Sequence, residues 1–357
     1  METYDTNGNN MMLPDNKPKK KKSPFLITTI IFLITTLLFG GLHVVIIIKN
    51  NSKTTVASSD NTDMNYYTEE DILSARQEER DNILDVIKTR LSAGDSTLSL
   101  LKEYYPDKIV YVNDNSNYVF ADIIPSLAKT EYNKANYKTD DSGRITYNVD
   151  NNVVSHMGID LSRYNSTVDF AKAKADGVEY AMIRCGYRTY GSGKLVQDTS
   201  FEKYISDALK NDVKVGVYFY TQAISKEEAV EEANYVLNMI KPYNVTYPVA
   251  IDVEAISNDT FRQQDLNKQE LTDVVIAFCD TIKNAGYTPM IYCNLKYFMD
   301  NVDLTRLESY DKWFAGYNTS APYFPYKYSM WQYTSTGEID GINGNVDINI
   351  TMKTSWK

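Results

Sequence analysis

At 357 residues the chain is long enough for about two folded units, and its 47 acidic against 37 basic side chains (net charge -10) exclude a nucleic-acid surface, which needs clustered Lys and Arg. Only 2 histidines accompany 29 tyrosines, so His-based triads and His-rich metal sites are poorly supplied. Cys185, Cys279 and Cys293 lie in apolar stretches at spacings that match no metal motif, and they read as buried free thiols.

Residues 1–24 are polar and lysine-rich and read as a disordered tail. Phe25 to Ile48 is then an apolar run of 24 residues whose sole titratable side chain is His43. At 1.5 Å per residue a helix of that length spans a hydrocarbon core of about 30 Å, and it is too long for the apolar part of a cleaved signal peptide. Lys17 and Lys19 to Lys22 precede the run, against Lys49 and Lys53 after it. That bias predicts a single-pass signal anchor through residues 25–48, with the N-terminus cytoplasmic and the remainder outside the cell membrane.

Residues 49–65, rich in Ser, Thr, Asn and Asp, read as a linker. Residues 66–154 read as a small, membrane-proximal α+β stalk. Thr68 is placed to cap a helix opened by Glu69, Glu70 and Asp71, with Ile83, Leu84, Ile87 and Leu91 as its apolar stripe and Gly94 beyond its end. That helix either pairs with itself beside the membrane or packs on its own hairpins. A second helix is predicted near Ser96 to Tyr105, ahead of Pro106. "KIVYV" with "YVFADI" predicts a hairpin, and "RITYNV" with "NNVVSHM" a second one.

From residue 155 onward, apolar runs alternate with helical text: "MGIDLS", "YAMIRCGY", "KVGVYFYT", "YPVAIDVE", "PMIYCN", "KWFAGY", "YSMWQYT" and "NVDINI". Eight strands between helices predict parallel pairing and an α/β fold, a shortened (β/α) barrel of the TIM type whose last gaps are too short for full helices. In such barrels the site lies at the C-terminal strand ends. The residues expected there are Asp160 on the first strand, Arg184 and Tyr187 on the second, Tyr218 and Tyr220 on the third, and Asp252 and Glu254 on the fourth. The fifth offers Tyr292 and Asn294, the seventh Trp331 and Gln332, and the eighth Asp347.

On a strand, residues two apart share a face with Cα atoms about 6.5 to 7 Å apart, so Asp252 and Glu254 are expected to look the same way. Four carboxyls on one rim repel and resist ionisation, which favours a proton retained near neutral pH. A divalent cation held by oxygen ligands is one use for such a cluster. Flat aromatic faces for sugar rings and amide or guanidinium donors for hydroxyl and acetamido groups favour glycoside hydrolysis instead, with no metal or cofactor.

These segments resemble the glycoside hydrolase family 25 lysozymes, the Chalaropsis-type N-acetylmuramidases. The likeness rests on "MGIDLS", "KVGVYFYTQA", "YPVAIDVE" and "SMWQYTSTGEIDGINGNVDIN", and it covers the chain from about Met157 onward. The resemblance implies a peptidoglycan hydrolase that cuts the β-1,4 bond between N-acetylmuramic acid and N-acetylglucosamine, with glycan strands as its partner. It makes Glu254 the catalytic acid and Asp252 its partner, with Asp160 and Asp347 completing an acidic floor. A chitinase-type barrel would carry an acid where this chain has Ala250. The rival from another class is a membrane-anchored module that binds peptidoglycan without cutting it.

Overall fold

A computed structural model describes residues 67–165, 167–255 and 260–356. The expected tail, anchor and linker of residues 1–65 lie outside the described residues, and no helix among the described residues is long and apolar enough to cross a membrane. The chain divides into two compact units, residues 1–81 and 82–357. Helix α1 (Glu69–Ser92) opens as expected: Asp71 Oδ2 accepts the Thr68 N–H at 2.8 Å, and Thr68 Oγ1 accepts the Asp71 N–H at 3.1 Å. This reciprocal pair satisfies backbone donors that the first helical turn leaves open. Ile83, Leu84, Ile87 and Leu91 are half-buried, and no residue of α1 is fully buried.

Helix α2 (Thr97–Tyr104) is capped by Ser96 Oγ, which accepts the Ser99 N–H at 3.0 Å, and it buries Leu100 and Leu101. Strands β1 (Lys108–Val112) and β2 (Tyr118–Asp122) form the expected antiparallel hairpin. Strands β3 (Tyr137–Thr139), β4 (Ile145–Val149) and β5 (Asn152–Val153) form a three-stranded sheet. The second expected hairpin is therefore short, because "HM" at the end of "NNVVSHM" already belongs to the barrel.

This region is fastened to the barrel. Tyr323 Oη accepts the Val110 N–H at 2.9 Å, Tyr326 Oη accepts the Ile124 N–H at 2.9 Å, and the Tyr137 and Tyr328 hydroxyls bond each other in the interior. Ile109, Tyr111, Leu127, Tyr137, Ile145 and Tyr147 belong to the same buried cluster as the outward faces of the barrel strands. Position 154/155 thus marks the approach to the first barrel strand, with no break in packing there.

The barrel strands are β6 (His156–Leu161), β7 (Tyr180–Arg188), β9 (Lys214–Tyr220), β10 (Val249–Asp252), β11 (Pro289–Asn294), β12 (Asp311–Ala315), β13 (Met330–Gly337) and β14 (Val346–Thr351). All eight coincide with the expected apolar runs, and β14 pairs with β6 to close the ring. A short strand β8 (Leu195–Gln197) folds back antiparallel on the end of β7. Helices α3 (Phe170–Ala175), α4 (Phe201–Lys210), α5 (Lys226–Ile240) and α6 (Lys268–Asn284) fill the early gaps. Only the six-residue α7 (Leu295–Asp300) follows β11.

The expectation of an all-parallel sheet needs correction: β14 runs antiparallel to both β13 and β6. Parallel neighbours need a crossover of about a dozen residues or more. Only residues 338–345 separate β13 from β14, so the chain has to turn back.

Alternation along each strand divides the side chains between two environments. Outward residues such as Ile159, Ile183, Val217, Ile251, Phe314 and Trp331 pack under the helices and the N-terminal sheets. Inward residues build a separate plug of Tyr180, Met182, Tyr247, Met290, Trp313, Met330 and Trp356 that fills the barrel. Gly158 makes room for this plug: a Cβ there would come within 2.2 Å of the Tyr180 ring. The three cysteines are buried and free, as expected.

Candidate active site

The C-terminal ends of the parallel strands surround one groove, whose lining includes Asp160, Asp252, Glu254 and Asp347. Asp160 and Asp347 are directly paired across the β6–β14 register. Asp347 stands near the start of its strand and not at its end, and it reaches this rim because β14 is reversed. Asp252 is the last residue of β10, and Glu254 follows in the segment just beyond the strand.

The acids sit above the apolar plug, and their surroundings differ. Asp160 Oδ2 accepts the amides of Gln332 and Asn349, both at 2.8 Å. Asn349 Oδ1 in turn accepts the Trp313 indole N–H at 2.7 Å, so the floor is a fixed polar layer over the core. Burial, with the Asp347 charge next, raises the Asp160 carboxyl well above its ordinary range, against the two amides that favour its ionised form. Asp347 is raised by burial to about 6, with a hydrogen bond from Asp160 acting the other way.

Glu254 is raised to about 7, first by burial and then by the Asp347 charge. Asp252 is also raised well above its ordinary value by burial and by the Glu254 charge, with Arg184 opposing. Its buried Oδ1 has no hydrogen-bond partner among the described residues. The site therefore holds one carboxyl locked by two amides, one whose oxygen is uncommitted, and one placed to exchange a proton near neutral pH.

Of the expected binding residues, Arg184, Tyr187, Tyr218, Tyr220, Tyr292 and Gln332 line the groove. Asn294 and Trp331 are not among its lining residues and need correction. Asn294 Oδ1 caps α7 by accepting the Tyr297 N–H at 2.8 Å, the usual task of an Asn before a helix. Trp331 belongs to the buried cluster beneath the outer elements and donates its indole N–H to the Gly316 carbonyl at 2.8 Å. Adjacent strand residues face opposite sides, so Trp331 and Gln332 could not both have reached the groove.

Trp313 on β12, a buried member of the plug, lies at the groove's floor, its ring centroid 4.8 Å from that of Tyr292 and 5.9 Å from that of Tyr218. Strand alternation in "KWFAGY" was a signal for Trp313. Tyr317, Arg163, Tyr164 and Tyr190 also line the groove; they come from loops, where no periodicity marks them.

A family model described as "Glycosyl hydrolases family 25" matches residues 159–342. Among curated relatives, an autolytic lysozyme of Clostridium acetobutylicum is 27% identical over 192 residues, covering 54% of this chain and 54% of that protein. The chain thus spans about half the length of that relative. A lysozyme of Streptococcus phage Cp-7 is 29% identical over 154 residues, covering 40% of this chain and 42% of that one. Among solved structures, the spore cortex lytic enzyme SleM of Clostridium perfringens aligns with a TM-score of 0.49 at 21% identity, covering 58% of this chain and 70% of that one.

Proposed function

The chain belongs to glycosyl hydrolases family 25, and from that premise we propose that it is a lysozyme-type peptidoglycan hydrolase, cutting the β-1,4 bond between N-acetylmuramic acid and N-acetylglucosamine. The observation that carries this reading is the division of labour among the four carboxyls at one aromatic-lined rim. Glu254, half-protonated near pH 7, donates its proton to the glycosidic oxygen as the bond to the anomeric carbon breaks. Asp252 offers a buried oxygen with no partner among the described residues, suited to accepting the N–H of the substrate's acetamido group. So oriented, the acetamido carbonyl oxygen attacks the anomeric carbon, and water later opens that intermediate. Asp160 is held by Gln332 and Asn349 as a fixed part of the floor, and Asp347 shares its charge.

The anchor belongs to the same proposal. The apolar run 25–48 would hold the chain in the cell membrane with its barrel outside, limiting a lytic activity to nearby wall. Pairing of α1 with a second copy is an added element of this reading, supported by a helix that has no fully buried residue of its own.

The test uses the full chain and purified cell wall, with borohydride reduction and mass spectrometry of the released fragments. New reducing-end muramic acid is expected. Ends on glucosamine alone would sink the assigned bond, and retention on the wall without new ends would favour the binding module.

A further inference from the structure

Beyond the acids, the groove carries three guanidinium groups, and they differ in how fully the protein engages them. Arg188 is buried and bonds Glu232 and Glu231 at 2.7 Å each. Arg184 donates its Nε–H to Asp198 Oδ2 at 2.7 Å. Asp198 also accepts the Arg163 backbone N–H and the Ser200 N–H, which leaves little of its charge for a second cation.

Arg163 is different. Its guanidinium donates to the Tyr187 hydroxyl at 2.7 Å and the Tyr164 hydroxyl at 3.2 Å, and no carboxylate partners it among the described residues. It lies 5.1 Å from the Tyr164 ring centroid and 5.0 Å from that of Tyr187. The Arg184 guanidinium faces the same two rings at 5.0 and 5.5 Å, and its buried Nη2 has no hydrogen-bond partner among the described residues. The backbone here is fixed, because Arg163 lies inside a tight turn in which Asn165 Oδ1 accepts the Ser162 N–H at 2.8 Å. Tyr164 is 76% exposed, so this cluster opens to solvent at the groove's edge.

We propose that Arg163 and Arg184, held between Tyr164 and Tyr187, form a subsite for a carboxylate carried by the glycan strand. This rests on the hydrolase reading above and adds what the groove selects. The four acids line the rest of the groove and offer a substrate carboxylate no positive charge, so these guanidinium groups are the cations it can meet there. Arginine's planar fork suits a carboxylate, and the Tyr faces hold it in place. Peptidoglycan supplies that chemistry in two ways: the lactyl carboxylate of peptide-free muramic acid, and the free carboxylates of the peptide stem.

The test compares the full chain with Arg163→Gln and Arg163→Lys on three substrates: peptide-free strands, the same strands with carboxylates coupled to methylamine, and peptide-bearing strands. The wild type is expected to favour free over amidated strands by about tenfold in kcat/KM, the scale of one charge-assisted hydrogen bond. Arg163→Gln should bring that ratio close to one, and Arg163→Lys should restore part of it. A loss confined to peptide-free strands assigns the lactyl carboxylate, and one confined to peptide-bearing strands assigns the stem. If the wild type cuts free and amidated strands equally and Arg163→Gln leaves the rate on peptide-bearing strands unchanged, or if Arg163→Gln lowers the rate on all three substrates alike, the carboxylate subsite is overturned. If the wild type yields no new reducing ends from any strand, it is the hydrolase reading that fails.

Discussion

Replacing Glu254 by Gln removes one transferable proton and one buried charge while preserving side-chain volume, and each loss has its own readout. A positioned general acid is worth about 10²- to 10⁴-fold in rate, so kcat on purified cell wall should fall by at least about a hundredfold. The stability effect has the opposite sign. Burial and Asp347 raise this carboxyl from its ordinary 4.5 to about 7. The folded state thus binds the proton more tightly than the unfolded one, and that contribution is fully present below about pH 4.5 and lost as pH rises through about 7. Above that, the ionised side chain costs the fold at most about 3 kcal/mol, a cost the neutral amide never incurs. Urea unfolding should therefore find the variant more stable than wild type at pH 9 and nearly equal at pH 4. An active variant would refute the assignment of the acid, and one equally stable at both pH values would refute the buried-charge argument.

Four further outcomes are open to measurement. With Glu254 needed protonated (about 7), kcat/KM should fall as pH rises through about 7; an alkaline limb above pH 9 would assign the acid elsewhere. Asp252→Asn should slow cleavage of N-acetylated strands far more than it changes affinity for them, and equal effects on kcat and KM would argue against its positioning of the acetamido group. Arg188→Met strands the buried Glu232, itself raised to about 7 by burial, and should lower unfolding stability by about 3–5 kcal/mol at pH 8. Tyr328→Phe leaves the buried Tyr137 hydroxyl without this partner and should remove about 1–3 kcal/mol of stability with kcat unchanged, a test of how firmly residues 96–154 brace the barrel.

Much of the barrel was legible because a strand writes its two faces alternately. "MGIDLS" shows Gly158 and Asp160 on one face, "KVGVYFYT" shows Tyr218 and Tyr220, and both pairs do face inward. The rule faltered where local geometry intervenes. The register shift between Arg184 and Gly186 against β9 lets Arg184 and Tyr187, three residues apart, serve one groove. A polar residue at a strand end is equally the cap of the next helix, and that is the place Asn294 takes. Trp331 and Gln332 are both expected at the groove, but they are neighbours on one strand and alternation gives the inward face to Gln332. Loop residues such as Tyr317 and Arg163 carry no period, and only the closed ring shows that they converge. The reversal of β14 was latent in the length of the connection before it, which eight matching apolar runs do not convey.

That reversal bears on when the floor of the groove comes into being. Asp160 opens the barrel's sequence and Asp347 lies close to its end, yet the two are register partners. A ribosome delivers them nearly two hundred residues apart, so a chain that ends before residue 347 holds at most three of the four acids. The last strand acts as a seal, and no truncated product ending before it possesses the complete carboxyl set.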